Sequence, residues 1–208
     1  MVPIGANVEP PSGYRRGRRT PATVVGFGVV MPRRRLEYAI DAIAELVTRG
    51  DDVQFEIIGR VFDRDYAMDL ATRAHRAGIG DRVRFLGELA PVQISQAFAG
   101  ASAAVHAAQE GSIASSGSLL ALLAHGVPTV ALRTPDDDPV FGSALRYADD
   151  DAELAGALRA LAAEPRAAER LSQEATATYR ATFAWAAVAE RLRHALQIGA
   201  TDERLAAA

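Results

Sequence analysis

The 208 residues contain no cysteine and no lysine, and only 6% are aromatic. Without cysteine there is neither a disulfide framework nor a thiolate metal site, and the four histidines lack the spacing of a zinc site. A metalloenzyme built on Cys or His is disfavoured, and no metal or tightly held cofactor is expected. Because all 23 basic residues are arginine, a side-chain grip on phosphate has to come from guanidinium groups, with backbone N–H groups as the other donors. The 26 acids leave a net charge of only −3, which excludes the overall basic footprint of a nucleic-acid-binding domain. Long hydrophobic runs are missing as well. Nothing approaches the ~20 apolar residues that cross a bilayer, and the opening Met1–Gly5 lacks the basic flank and apolar stretch of a secretion signal. The chain reads as cytoplasmic.

What is present is a hydrophobic fraction of 49%, enough for a sizeable core, arranged in alternating patterns. Residues 1–20 are rich in Pro, Gly and Arg without periodicity and read as a linker or arm. Within them Arg15-Arg16-Gly17-Arg18-Arg19 reads as a solvated basic run, peripheral contact with an anionic membrane or a partner being the other reading. The domain proper is expected over 21–198, with 199–208 a flexible tail. Val24–Val30 predicts the first strand, and Leu36, Ile40, Ile43 and Val47 make one stripe of the helix that follows. The pattern then repeats with strand Val53–Ile58, helix Tyr66–His75, strand Val83–Leu86, helix Val92–Phe98 and strand Ala103–His106. A Gly/Ser-rich turn leads to a helix over Ser116–His125, strand Pro128–Leu132 and a last short strand near Leu145–Tyr147. The remainder is helical, and the final helix, Trp185–Ile198, is expected to pack weakly or project. Strands joined by helical crossovers imply an α/β fold: a doubly wound, Rossmann-like parallel sheet of about six strands with helices on both faces.

Ligands of such a sheet lie beyond the carboxyl ends of the strands, so the strand-to-helix turns hold the candidate site. The first strand ends in Val30-Met31-Pro32-Arg33-Arg34-Arg35, three guanidinium groups that either meet an anionic ligand or form a solvated arginine run. The fourth ends in His106 and a turn running through Gln109-Glu110-Gly111-Ser112 to Ser115-Ser116-Gly117-Ser118, where an apolar helix begins. Small residues, unpaired N–H groups and the helix dipole suit an anion there, although N-capping by Ser115 or Ser116 needs no ligand. Glu110 either accepts hydrogen bonds from sugar hydroxyls or is a solvated loop carboxylate. Gly26-Phe27-Gly28 starts a dinucleotide fingerprint that fails at Met31, and the second strand closes in Gly59-Arg60 without an acid, which disfavours a dehydrogenase. His106 has no neighbouring Ser or Asp arrangement and receives no catalytic role.

Taken in order, these segments resemble the carboxyl-terminal, donor-binding half of family 4 retaining glycosyltransferases of the GT-B fold. Val2–Val8 is similar to the segment linking the two halves of that family, and Gly28–Arg35 to its glycine strand and Pro-x-Lys-Gly turn. Phe55–Gly59 and Val83–Gly87 are similar to the next two strands with their glycines. Gln109-Glu110-Gly111, Ala124–Val130 and Thr182–Trp185 look like the Glu-Gly turn, the Ala-x-Gly-x-Pro-Val segment and the Phe-Ser-Trp ending. The chain departs from the pattern where Val29 replaces an arginine and Arg35 a glycine. The second glutamate of the paired-Glu motif is also absent, with Ser118 or Ala121 at its place according to the count used.

The resemblance implies a UDP-, GDP- or ADP-sugar as substrate and an amino-terminal acceptor-binding domain, in cis or in trans, as partner. Carried over by position, Arg34, with Arg33 beside it, binds the donor diphosphate together with Ser115, Ser116, Gly117 and Ser118. Glu110, with Gly111 and Ser112, contacts the transferred hexose and is the catalytic candidate, and Gly87 and Leu89 lie beside the base. Retaining transfer of this kind is expected to need no protein nucleophile, only positioning and neutralisation of the leaving diphosphate. A non-catalytic nucleotide- or sugar-phosphate-binding or protein-interaction module with the same fold is the alternative.

Overall fold

The computed structural model describes residues 5–17, 20–108, 115–134 and 139–206, of which 197–206 are described by backbone alone. Among the described residues six strands form one sheet: β1 (Ala22–Phe27), β2 (Val53–Ile58), β3 (Val83–Gly87), β4 (Ala103–His106), β5 (Thr129–Leu132) and β6 (Arg146–Ala148). Their order is β3-β2-β1-β4-β5-β6 and every neighbouring pair is parallel, as the alternation of strand and helix periods predicts. The helices are α1 (Leu36–Thr48), α2 (Arg64–Arg76), α3 (Pro91–Gly100), α4 (Gly117–Ala124), α5 (Asp151–Ala163), α6 (Pro165–Thr178) and α7 (Trp185–Ala206).

Both sheet faces are covered, and the central strands β1, β4 and β5 are accordingly mostly apolar on both faces, whereas β2, with Gln54 and Glu56, and β3, with Arg84, alternate toward the edge of the sheet. In β1, Val24 faces a core built with α1 and α5, whereas its neighbour Val25 faces a second core built with α3 and α4. α1 buries Leu36, Ala39, Ile40, Ala42, Ile43 and Leu46, one stripe at helical spacing. α4 is buried from Ser118 to Ala124, all round, because it is wedged between the sheet, α6 and the amino-terminal segment. Side-chain caps start α2 and α5: Asp63 accepts from the Tyr66 N–H at 2.9 Å, and Asp150 from the Glu153 N–H at 2.8 Å.

The first strand differs from the expected Val24–Val30. Gly28 turns the chain at φ 131°, so the ladder stops at Phe27 and Val30 makes an isolated bridge to Val61 instead. The last helix starts at Trp185 as expected and leaves a thin contact. Only Val188 of its opening turns is buried, while Trp185, Leu192 and Leu196 are 55, 47 and 65% exposed.

Residues 5–17, read from the sequence as linker or arm, lie along the second core with Ala6 and Val8 buried. Tyr179 donates to Glu9 at 2.7 Å, and the Tyr14 ring meets His125 edge-on with centroids 4.9 Å apart. Arg16 is not solvated as the basic run suggests. Its Nη1 donates to the Gly126 carbonyl and its Nη2 to the Ala101 carbonyl, both at 2.5 Å, tying the segment to the ends of α4 and α3. Arg16→Met keeps the apolar stem and removes both bonds. We expect it to lower the unfolding free energy by ~1 to 3 kcal/mol, read as a lower urea midpoint at unchanged slope.

Candidate functional site

Strand order reverses between β1 and β4, so the connections leaving their carboxyl ends run to opposite sides and open a crevice. After Gly28 the β1 connection makes a short 3-10 turn over Pro32–Arg34 and then places Arg35 in the left-handed region at φ 47°, ψ 40°. This is the position where the resembling pattern has a glycine, and the backbone here keeps the conformation that glycine favours. The consequence is a separation of three adjacent arginines. Arg33 is exposed, and Arg35 lies over the Tyr38 ring at 4.5 Å. Arg34 folds back over Gly28, so that a Cβ placed on Gly28 would stand 2.7 Å from its Nη2. With Gly26, Leu36, Ile57 and Val105, Arg34 lines a cavity of about 10 Å³, room for one water at most. Burial, and secondarily the Arg33 charge, lowers the Arg34 pKa, yet a guanidinium stays charged.

The glycines that close β1, β2 and β3 form a rim without side chains. The Gly28 N–H donates to the Ile58 carbonyl at 2.9 Å and the Gly59 N–H to the Gly87 carbonyl at 2.8 Å. Gly59 sits at φ 144°, and a Cβ on it would be 1.9 Å from the Gly28 carbonyl oxygen. Gly87 is unobstructed at φ 67°, and the half-buried Leu89 packs against the second core, as Phe27 does.

On the β4 side His106 ends the strand, buried at 3% exposure, with its Nε2 lacking a partner among the described residues. Desolvation first, and the charge of Arg34 second, pushes its pKa down to about 3, so the ring is neutral at physiological pH. α4 begins with Ser116 as its cap. The Ser116 Oγ accepts from the Leu119 N–H at 3.4 Å and lies 3.1 Å from the Ser118 Oγ. Ser115 is exposed, Ser118 is buried, and the first turn of α4 has no acid. Gln109, Glu110, Gly111 and Ser112 lie outside the described residues.

The structure thus places Arg34, His106, the glycine rim and the Ser116–Ser118 helix start on one edge of the sheet, and turns Arg33 toward solvent. It adds Asn7, which the sequence reading did not single out as a site residue: a Cβ on Gly117 would lie 2.9 Å from the Asn7 Nδ2. Its only sequence signal was membership of the linker-like segment. Among the described residues no group of three or more His, Asp or Glu could hold a metal ion, and no helix is long and apolar enough to cross a membrane.

The family model described as Glycosyl transferases group 1 matches residues 21–164. No curated protein matches the sequence. Among solved structures, HepE of Anabaena, crystallised with UDP and glucose, is 20% identical at a TM-score of 0.72, covering 84% of this chain and 48% of that one. Sucrose-phosphate synthase of Thermosynechococcus elongatus is 19% identical at a TM-score of 0.72, covering 99% of this chain and 52% of that one. The C-terminal domain of a glycosyl transferase group 1 family protein of Francisella tularensis is 14% identical at 0.69, covering 86% of this chain and 96% of that domain. At such identities the likeness is one of fold. The chain spans about half the length of the first two proteins and nearly all of the third.

Proposed function

This chain belongs to the glycosyl transferases group 1 family, and from that premise we propose that it is the donor-binding half of a retaining, family 4-like glycosyltransferase. A nucleotide sugar occupies the crevice between β1 and β4, and an acceptor-binding domain, in the same chain or a separate one, closes over it. The observation that carries this reading is the Arg34 guanidinium laid over Gly28 at the reversal of strand order, on the edge where α4 begins. Support for the ligand class comes from HepE, solved with UDP and with UDP-glucose.

In this reading Arg34 and the first N–H groups of α4, with Ser116 and Ser118 holding the turn, neutralise the diphosphate. Charge grows on that group as the sugar leaves, so donors fixed before the reaction favour the transition state over the bound substrate. Gly87 and Leu89 flank the base. Glu110, with Gly111 and Ser112, orients the hexose through its hydroxyls. Glu110→Gln is expected to weaken a sugar nucleotide while sparing the free nucleoside diphosphate, because only the former carries the hydroxyls. Calorimetric titration with UDP, GDP and ADP and with their glucose conjugates checks this, and equal losses for both ligand types would refute the role.

The chain alone is expected to bind donor weakly and to transfer no sugar. Proximity in a closed cleft can supply ~7 to 11 kcal/mol of the barrier, and an open half-cleft supplies little of it while admitting water. Turnover should appear when an acceptor-binding domain of the family is fused ahead of Val2 or added separately. Robust transfer by the 208 residues without a partner would overturn the proposal. The second reading, a binding module without turnover, is favoured by the first turn of α4, which carries no acid to offer a ribose. It predicts nucleotide binding that no added domain converts into transfer.

A further inference from the structure

Within β4, Ala103 and Val105 face the first core and Ala104 the second, so His106 belongs by alternation to the face that α4 covers. The other three residues of β4 are Ala, Ala and Val, all buried. A histidine at the fourth position therefore puts a polar ring where packing alone asks for a small apolar one. Its Nε2 is buried without a partner among the described residues, the condition in which a polar atom pays its full desolvation and recovers nothing. Two positive features favour an anion as its partner: Arg34, whose charge acts on the ring, and the amino end of α4, the helix packed on the same sheet face. An anionic oxygen only accepts hydrogen bonds, so the ring nitrogen that meets it has to carry the proton.

Resting on the donor-binding reading above, we propose that His106 is a ligand-contacting residue of the crevice, its neutral imidazole donating the Nε2 hydrogen to a phosphate oxygen of the bound nucleoside diphosphate. Neutrality is part of the arrangement. The low pKa keeps a second cation away from Arg34, and a neutral ring still offers one directed N–H. Arg34 then supplies charge, and His106 supplies direction from the neighbouring strand.

The test uses the whole chain labelled with ¹⁵N-histidine and titrated with UDP, GDP and ADP at neutral pH. His106 is assigned among the four histidines by its loss in His106→Gln. We expect a neutral ring protonated at Nε2, whose N–H resonance moves downfield with a diphosphate and stays in place with the bare nucleoside. His106→Phe should weaken the diphosphate roughly tenfold without changing nucleoside affinity, and His106→Gln, which keeps an N–H donor, should lose less. Diphosphate binding with the His106 signals unmoved, or with the ring protonated at Nδ1 or charged, overturns the role and leaves the donor-binding reading standing. Failure of the unsubstituted chain to bind any of the three diphosphates overturns both. If His106→Phe does not fold, the spectra of the unsubstituted chain decide alone.

Discussion

Gly59→Ala is expected to be the most damaging glycine-to-alanine change among the described residues, lowering stability by ~3 to 5 kcal/mol. The added Cβ would lie 1.9 Å from the Gly28 carbonyl oxygen, a backbone atom that cannot turn aside as a side chain would. Relief requires β1 and β2 to part at their carboxyl ends, where the Gly28 N–H bonds Ile58 and the Gly59 N–H bonds Gly87. Alanine is also strained at φ 144° whatever the space around it. Gly87→Ala makes the matched comparison, since its φ of 67° is unfavourable but nothing stands within 4 Å of the new atom. It should cost only ~1 to 2 kcal/mol. Urea unfolding of the two variants separates them. Equal, small losses would mean that the glycine rim is not closely packed. Because Arg34 rests on Gly28, Gly59→Ala should also weaken any ligand of the crevice by displacing its main cation.

Arg34→Ala should weaken nucleoside diphosphate binding by ~1.5 to 3 kcal/mol, about 10- to 150-fold in Kd, the range for a hydrogen bond to a charged group. The loss should be nearly all functional. The Arg34 guanidinium is held in partly desolvated surroundings that lower its pKa, so its removal relieves a burial penalty, and unfolding free energy should stay level or rise slightly. Arg34→Lys keeps the charge without the planar fork and should recover part of the affinity. Arg33→Ala, at an exposed and screened position, should have a much smaller effect. Calorimetry with UDP reads all three. Unchanged affinity in Arg34→Ala would make the arginine run ordinary solvated surface and remove the observation on which the donor-binding proposal stands.

The alternation of strands and helices was legible in the sequence because each element writes its own period: Leu36, Ile40 and Ile43 in α1, the alternating Val53, Phe55 and Ile57 of β2, the serine before α4. The parallel sheet follows from that alternation, since helical crossovers leave little else to build. These are local signals, set by residues a few positions apart. What only the tertiary structure decided lies between residues far apart in the chain. Tyr179 reaches Glu9 across 170 positions and Arg16 reaches Gly126 across 110, so a segment with no periodicity becomes part of a core. Three arginines in a row, identical as letters, were given different surroundings by a single left-handed residue and a tight turn, which face Arg33 to solvent, Arg35 to Tyr38 and Arg34 to the crevice. The His106 Nε2, buried without a partner among the described residues, and the approach of Asn7 to Gly117 have no local signature at all. Periodicity records which face of an element is buried, but not what it is buried against, and a binding site is made of that second kind of contact.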